Sequence, residues 1–276
     1  MNSKKITNNF EEKEFLKSYN IEMYDRPSIT TDIVAFKIRS KEGDTYRHNS
    51  QSNLSILLVR RGEYPFKDKW ALPGGFLRKE ETIEECAYRE IKEETGVLPV
   101  SLMPIGVFSD IDRDPRGRIV SNAYLSIISD DATPSAGTDA TEAKWFDVSF
   151  EGINDDRKLT LSNESIVIEC QLKKLETIFK RTDFGIINGE QLAFDHARII
   201  STAITLLRKS SKDYDLILDF LPEKFTLTEL QNVTEAIMNV TLTPANFRRK
   251  VSEFVVETDE QLTGVGHRPA KLFKRK

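Results

Sequence analysis

Residues 74–97, GGFLRKEETIEECAYREIKEETGV, decide the fold, and they place seven carboxylates between Glu80 and Glu94. Thr82 followed three residues later by Glu85 is a capping box, the signature of a helix start. Gly96 offers the positive φ at which helices commonly end. The stretch therefore predicts a helix over residues 83–95 with an unusually acidic surface.

Helical spacing places three of these acids on the same inward side as the apolar residues of the helix: Glu90, Glu93 and Glu94. Like charges so close together destabilise a helix unless something positive lies between them. Arg89 is expected to project from a different side and to neutralise part of the cluster at most. A divalent cation, Mg²⁺ or Mn²⁺, would neutralise all of it, with the carbonyl of Gly75 as a further ligand.

The spacing Gly75, five residues, Glu81, seven residues, then REIKEETGV from Arg89 matches the Nudix box at every specified position. The chain thus resembles the Nudix superfamily. That resemblance implies an α/β fold, a mixed sheet between helices, and hydrolysis of a nucleoside diphosphate linked to another group. It also implies that Glu90, Glu93 and Glu94 hold the metal, that Arg89 orients them and that Glu81 braces the loop. The general base stays open among Glu93, Asp112 and Asp139.

Further segments around the box predict strands and a substrate class. Apolar, β-branched runs at residues 28–38, 53–61, 101–108, 119–128 and 143–148 predict strands, and residues 192–208 have helical spacing. YDRPSITTDIVAFKI, FKDKWALPGGFL and SDIDRDPRGR resemble the branch related to ADP-ribose pyrophosphatase. Four arginines would suit phosphate or ribose contacts: Arg60, Arg61, Arg116 and Arg118.

The domain organisation predicted is a lead-in over residues 1–20, a Nudix domain over 21–210 and a small domain over 211–276. Charge is segregated in the small domain, because residues 246–276 hold eight basic and four acidic groups. A capping box at Thr226 and the pair Thr243-Pro244 begin two helices joined by a turn. The second helix turns Asn246, Arg248 and Arg249 outward, and a basic hairpin follows.

Together with the Nudix part, LAFDHARII, FTLTELQ, NFRRK and GHRPAKLF resemble the Nudix-related transcriptional regulators. This resemblance implies a winged helix-turn-helix that binds double-stranded operator DNA as a homodimer, with Arg268 and Lys271 on the wing. The Nudix pocket would sense a ligand such as ADP-ribose, and ligand and DNA would favour different dimer geometries. Because the box is intact, hydrolysis of the ligand is also expected.

Composition narrows the alternatives. Two cysteines make no disulfide framework, and no secretory signal or membrane span is found, so a cytoplasmic protein is expected. The net charge of −4 gives no overall basic character. Two other functions stay open: a metabolic ADP-ribose pyrophosphatase whose C-terminal domain only mediates dimerisation, and a regulator that senses a sugar.

Overall fold

The computed structural model describes residues 10–40, 52–128, 133–137, 140–176, 182–210, 214–262 and 269–276. Its α-helices are α1 (Phe10–Ser18), α2 (Ile83–Thr95), α3 (His196–Ser210), α4 (Asp215–Leu218), α5 (Leu227–Met238) and α6 (Pro244–Val251). Helix α2 thus has the bounds that the capping box and Gly96 predict. No helix within these ranges is both long and apolar enough to cross a membrane.

A large mixed sheet forms the centre of the Nudix part. Its strands are β1 (Ser28–Ser40), β2 (Ser52–Arg61), β3 (Trp70–Ala71), β4 (Gly74–Phe76), β5 (Ser101–Phe108), β6 (Ile119–Ile127), β7 (Ala140–Glu151), β8 (Asp156–Ser162), β9 (Val167–Leu175) and β10 (Asp183–Asn188). Their order is β10-β9-β8-β7-β2-β1-β6-β5, with β3 beside β2 and β4 beside β1. Strands β1 and β6 run parallel, whereas the other paired strands are antiparallel.

The two faces of the sheet carry separate apolar cores. Successive side chains of a strand point to opposite faces. Ile33 and Ala35 of β1 accordingly pack with Ile91 of α2, whereas Val34 and Phe36 join the core that contains α3. The resulting α/β/α sandwich confirms the fold class predicted from the sequence, and it brings α2 and α3 to opposite sides of β1.

Strands β8, β9 and β10 extend the sheet beyond what the sequence analysis predicts. The burial of β9 alternates residue by residue, with Ile168, Cys170 and Leu172 buried and their neighbours exposed. That period of two was present in the sequence and is typical of a half-buried strand.

The C-terminal part is a winged helix. Helix α5 begins at the predicted capping box of Thr226, and α6 begins with Pro244 at its first position. A hairpin of β11 (Val255–Leu262) and β12 (Ala270–Arg275) follows. The buried residues Ile237, Phe247 and Val251 belong to the same apolar core as α3, so the winged helix packs directly on the Nudix part. The domain boundary near residue 210 stays a prediction.

Candidate functional site

A cavity of about 450 Å³ opens between α2, β1 and the start of α3. Such a volume is typical of a small-molecule site. Charged and aromatic side chains dominate its lining, which includes Asp32, Arg61, Glu90, Glu94, Arg113, Asp114, Arg116, Phe194 and His196. Both signs of charge therefore face one enclosed space, which suits an anionic ligand that arrives with a cation.

The start of α2 explains how Glu90 reaches this cavity. Thr82 accepts a hydrogen bond from the backbone N–H of Glu85, and the Glu85 carboxylate accepts one from the N–H of Thr82. The preceding chain passes close to the helix at Gly75, where an added Cβ would lie 2.4 Å from the Glu90 carboxylate. A side chain at this position would displace the Glu90 carboxylate, so glycine keeps the backbone beside the acid.

Arg89 lies inside the acidic cluster, and the prediction that it projects from a different side is wrong. Its guanidinium donates to Glu81 at 2.6 and 2.8 Å, to Glu90 at 2.5 Å and to Glu93 at 3.2 Å. The long side chain folds back along the helix, the usual direction for helical residues. These bonds lower the pKa of Glu81 to about 2 and raise the pKa of Arg89.

Glu81 also braces the loop before α2, as the Nudix resemblance implies. Its carboxylate accepts the backbone N–H of Arg78 at 2.7 Å while it holds Arg89. Arg89 in turn donates to the carbonyl of Phe76 at 3.2 Å. One half-buried arginine thus holds the loop and the helix together.

The three acids predicted to lie inward are not equivalent. Glu90 and Glu94 line the cavity, and Glu94 accepts the backbone N–H of Gly74 at 3.0 Å. Glu93 is exposed, with 49% of its side chain accessible, and is bonded to Arg78 and Arg89. The predicted inward position is wrong for Glu93, because it lies at the edge of the helix face, where two arginines hold it toward solvent.

Within the described residues the acids do not converge into a ready group of metal ligands, because Arg89 and the Gly74 amide hold them. Two other observations nevertheless fit a divalent cation at Glu90. Burial raises the pKa of Glu90 even though Arg89 donates to it. A further positive charge would stabilise this carboxylate. The backbone of Gly75 also passes close to this carboxylate, and a carbonyl oxygen is the kind of ligand that Mg²⁺ and Mn²⁺ prefer.

The structure divides the four predicted substrate arginines. Arg61 and Arg116 line the cavity, where burial and the charge of Arg116 lower the pKa of Arg61. Arg60 is outside it and pairs with Glu142 at 2.9 Å, because neighbouring residues of a strand face opposite sides. Arg118 donates to the carbonyl of Ser109 at 2.6 Å. The structure does not bring Arg60 and Arg118 to the cavity.

A buried network that the sequence analysis missed forms the floor of the cavity. Arg113 donates to Asp32 at 3.2 Å and to Asp195 at 2.7 and 3.1 Å. His196 accepts the N–H of Leu72 at Nδ1, so its Nε2 carries the proton that faces Asp32, 3.4 Å away. These residues lie up to 164 positions apart in the sequence. The segments YDRPSITTDIVAFKI, SDIDRDPRGR and LAFDHARII contain these residues, but no local signal in them indicates that they meet.

Asp32 stays ionised although it is buried beneath the cavity. Burial by itself would raise its pKa, but the His196 imidazole, the Arg113 guanidinium and the Ser121 hydroxyl, which donates at 2.5 Å, all favour the carboxylate. Together they lower the pKa of Asp32 to about 2. The network therefore fixes a negative charge and the orientation of Arg113 beneath the cavity.

The winged helix presents its predicted DNA-contacting residues to solvent. Asn246, Arg248 and Arg249 are exposed on α6, while Phe247 and Val251 are buried on its other side. Lys271 on β12 is exposed and bonded to Glu257. Arg268 and the turn of the wing lie outside the described residues, as does Asp139.

Two family matches cover the two parts of the chain. Residues 45–160 match the NUDIX domain, and residues 217–274 match the NrtR DNA-binding winged helix domain. The winged-helix match includes α5, α6 and the basic hairpin. The NUDIX match includes the box and the lining arginines.

Individual relatives extend these matches. The ADPR responsive transcriptional repressor NtrR of Acinetobacter baylyi is 30% identical over 266 residues, which span 95% of this chain and 88% of that protein. The ADP-ribose pyrophosphatase of Methanocaldococcus jannaschii is 45% identical over 113 residues, 41% of this chain and 63% of that enzyme. The crystal structure of Shewanella oneidensis NrtR with a 27mer DNA superimposes with a TM-score of 0.59 at 25% identity, covering 90% of this chain and 93% of that one.

Proposed function

The chain belongs to the family of Nudix-related transcriptional regulators, and from this membership we propose that it is an ADP-ribose-responsive repressor. The observation that carries the proposal is the identity to the A. baylyi repressor along 95% of the chain, through both parts. A likeness confined to the Nudix part would support an enzyme alone. The function has two halves, ligand binding in the cavity and DNA binding by the winged helix.

The composition of the cavity supports a nucleoside diphosphate ligand. Arg61 and Arg116 offer guanidinium groups, whose planar arrays of N–H donors match phosphate oxygens. Glu90 and Glu94 face the same space and would hold a divalent cation that accompanies the phosphates. Phe194 adds an aromatic surface. A sugar without phosphate would offer Arg61 and Arg116 no anionic group.

The exposed face of α6 supports DNA binding. A helix-turn-helix places the first residues of its second helix at the base edges of the major groove. Asn246, Arg248 and Arg249 occupy that position in α6 and are free of the apolar core. The basic hairpin supplies Lys271 as a phosphate contact. A protein with these two roles needs access to DNA and to nucleotides, and we therefore expect it in the cytoplasm.

Helix α3 connects the two halves. His196 at its first position lines the cavity, and Arg208 in its last turn donates to the carbonyl of Ile237 in α5 at 3.0 Å. The helix is buried along most of its length. A movement of the first residues of α3 would therefore be transmitted to the winged helix. Ligand binding would in this way shift the population of the DNA-binding conformation.

A hydrolytic activity is the second candidate function, and the intact Nudix box favours it. When bound, a divalent metal supplies an activated water and offsets the charge that develops on the diphosphate. This chain would hold it through Glu90, Glu94 and the Gly75 carbonyl, while Arg89 and Glu81 keep Glu90 in place. Glu93, Asp112 and Asp139 stay open as the general base. The 45% identity to a pyrophosphatase supports this activity.

A homodimer also stays a prediction. The segment from α1 to residue 24 exposes apolar side chains, with Phe15 at 57% and Met23 at 79%. A second copy would cover such a surface.

The DNA-binding half is tested by charge removal on α6. Arg248→Ala and Arg249→Ala should each weaken binding to the protein's own upstream DNA and reduce the salt slope by about one unit per lost phosphate contact. Lys174→Ala removes an exposed charge from β9 and is the matched control. Unchanged DNA binding in both α6 variants would leave the enzyme-only function.

The hydrolytic half is tested separately. Glu94→Gln should abolish the Mg²⁺-dependent release of AMP from ADP-ribose, because the amide loses the charge that holds the cation. Glu93→Gln tests the exposed acid in the same assay. Activity that survives Glu94→Gln would reject the metal assignment, and activity that survives Glu93→Gln would exclude Glu93 as the general base.

A further inference from the structure

Phe194 adopts an unusual backbone conformation at the edge of the cavity. Its φ is 51°, in the left-handed region that residues with a side chain rarely occupy. The turn around it is firmly held, because Ala193 donates its N–H to the carbonyl of Trp70 at 2.8 Å. Strained backbone of this kind persists where the surroundings over-determine it and is concentrated at ligand sites.

The strain places the Phe194 ring next to both lining arginines. The guanidinium carbon of Arg61 lies 5.1 Å from the centre of the ring, and that of Arg116 lies 5.6 Å away. Phe66, which also has a left-handed φ of 61°, packs edge-on against the ring at 4.7 Å. A second strained phenylalanine thus supports the first.

Two guanidinium groups beside one ring would normally repel each other, more strongly in a partly enclosed cavity than in water. The negative face of an aromatic ring attracts cations and offsets part of this repulsion. Backbone and carboxylate contacts fix the other side of each arginine, since Arg61 donates from Nε to the carbonyl of Pro65 and Arg116 donates to Asp114. Each guanidinium has five N–H donors, more than these contacts use.

We propose that Phe194 is a positioning residue that holds Arg61 and Arg116 together as a binding pair for the diphosphate of the ligand. This inference rests on the proposed ligand-binding function and adds the residue that arranges the two arginines before the ligand binds. The ring sets the separation of the two cations before the ligand arrives, which lowers the cost of binding.

The test measures the affinity of the full chain for inorganic pyrophosphate and for ADP-ribose, with divalent metals chelated so that no hydrolysis occurs. Phe194→Leu keeps an apolar side chain but removes the ring, and two cation–π contacts at a partly exposed site correspond to a loss of about tenfold. The factor should be the same for both probes, because they share the diphosphate. Phe194→Tyr keeps the ring and should retain wild-type affinity.

Several outcomes would overturn the inference. It fails if Phe194→Leu binds both probes as the wild type does, if Phe194→Tyr is as weak as Phe194→Leu, or if the loss is confined to ADP-ribose, which would indicate that the ring contacts the nucleoside or ribose part of the ligand instead. If Phe194→Leu does not fold, Phe66→Leu removes the edge-on support and should weaken both probes by equal factors. A wild-type protein that binds neither probe, with divalent metals chelated or with a divalent metal present, would refute the proposed ligand-binding function itself, and the inference with it.

Discussion

Arg208 is the residue whose replacement should separate ligand binding from its effect on DNA. Its Nε donates to the carbonyl of Ile237 in α5 at 3.0 Å, and its Nη1 donates to the carbonyl of Phe150 in β7 at 2.8 Å. One side chain on α3 therefore ties the winged helix to the sheet. Burial lowers the pKa of Arg208, so the charge is held there at a cost in solvation.

Arg208→Met keeps the unbranched stem and removes the guanidinium. Hydrogen bonds to a charged group contribute roughly 1.5–3 kcal/mol each, so the two named bonds are worth roughly 3–6 kcal/mol before correction. Removing the buried charge also removes its desolvation cost, which offsets part of this loss in stability, as it does when buried ion pairs are replaced by apolar residues. We expect the free energy of unfolding to fall by about 2 kcal/mol, which a stable domain tolerates.

The assay is the affinity for labelled upstream DNA with and without saturating ADP-ribose, followed by fluorescence anisotropy. The ratio of the two dissociation constants is the coupling factor, commonly about 5- to 150-fold between linked sites. Arg208→Met should lower this ratio toward one, while ADP-ribose affinity in the absence of DNA stays at the wild-type value.

Lys209→Met is the matched control for this variant. Lys209 is the next residue of the same helix, is exposed and donates to the Thr182 hydroxyl rather than to the winged helix. A folded Arg208→Met protein with wild-type coupling would refute the role of α3 as the connection between the two sites.

Three further results follow from the structure. Asp32, whose pKa is lowered from 3.8 to about 2, should contribute about 2 kcal/mol to the free energy of unfolding, present above pH 3.8 and lost as the pH falls toward 2. Unfolding experiments should therefore find Asp32→Asn less stable than the wild type at pH 7, with the difference shrinking in acid. A difference that is the same at every pH would contradict this. Gly75→Ala would place a Cβ within 2.4 Å of the Glu90 carboxylate. ADP-ribose hydrolysis should therefore fall by about a hundredfold, while DNA binding without ligand is kept. A variant as active as the wild type would disprove the close approach. Thr226→Ala should cost about 1 kcal/mol in thermal unfolding through loss of the cap of α5, whereas Thr226→Ser should not, and equal stability of the two variants would reject the capping role.

Local signals in the sequence were enough for the helices that carry the two sites. The capping boxes at Thr82 and Thr226 and the positive φ at Gly96 act within a few residues, so α2 and α5 begin where they are predicted. The spacing of the Nudix box likewise depends on one continuous stretch. The buried face of α5 also follows from helical periodicity, because Leu230 and Ile237 are fully buried.

Contacts between distant segments could not be predicted from such signals. The position of Arg89 depends on how the loop at Glu81 folds against α2, and helical angles alone place it outside the cluster. The partnership of Asp32, Arg113 and His196 depends on three segments meeting beneath the cavity. Arg60 and Arg61 are equally good candidates in the sequence, and only the register of β2 decides which one reaches the ligand.

The most direct test of the central claim is a titration of the wild-type protein with its own upstream DNA, at fixed salt, with and without ADP-ribose. We predict specific binding without the ligand and weaker binding with it, together with an equal weakening of ADP-ribose binding by DNA, as reciprocal linkage requires. DNA affinity that is the same at every ADP-ribose concentration, in a protein shown to bind both, would contradict the account.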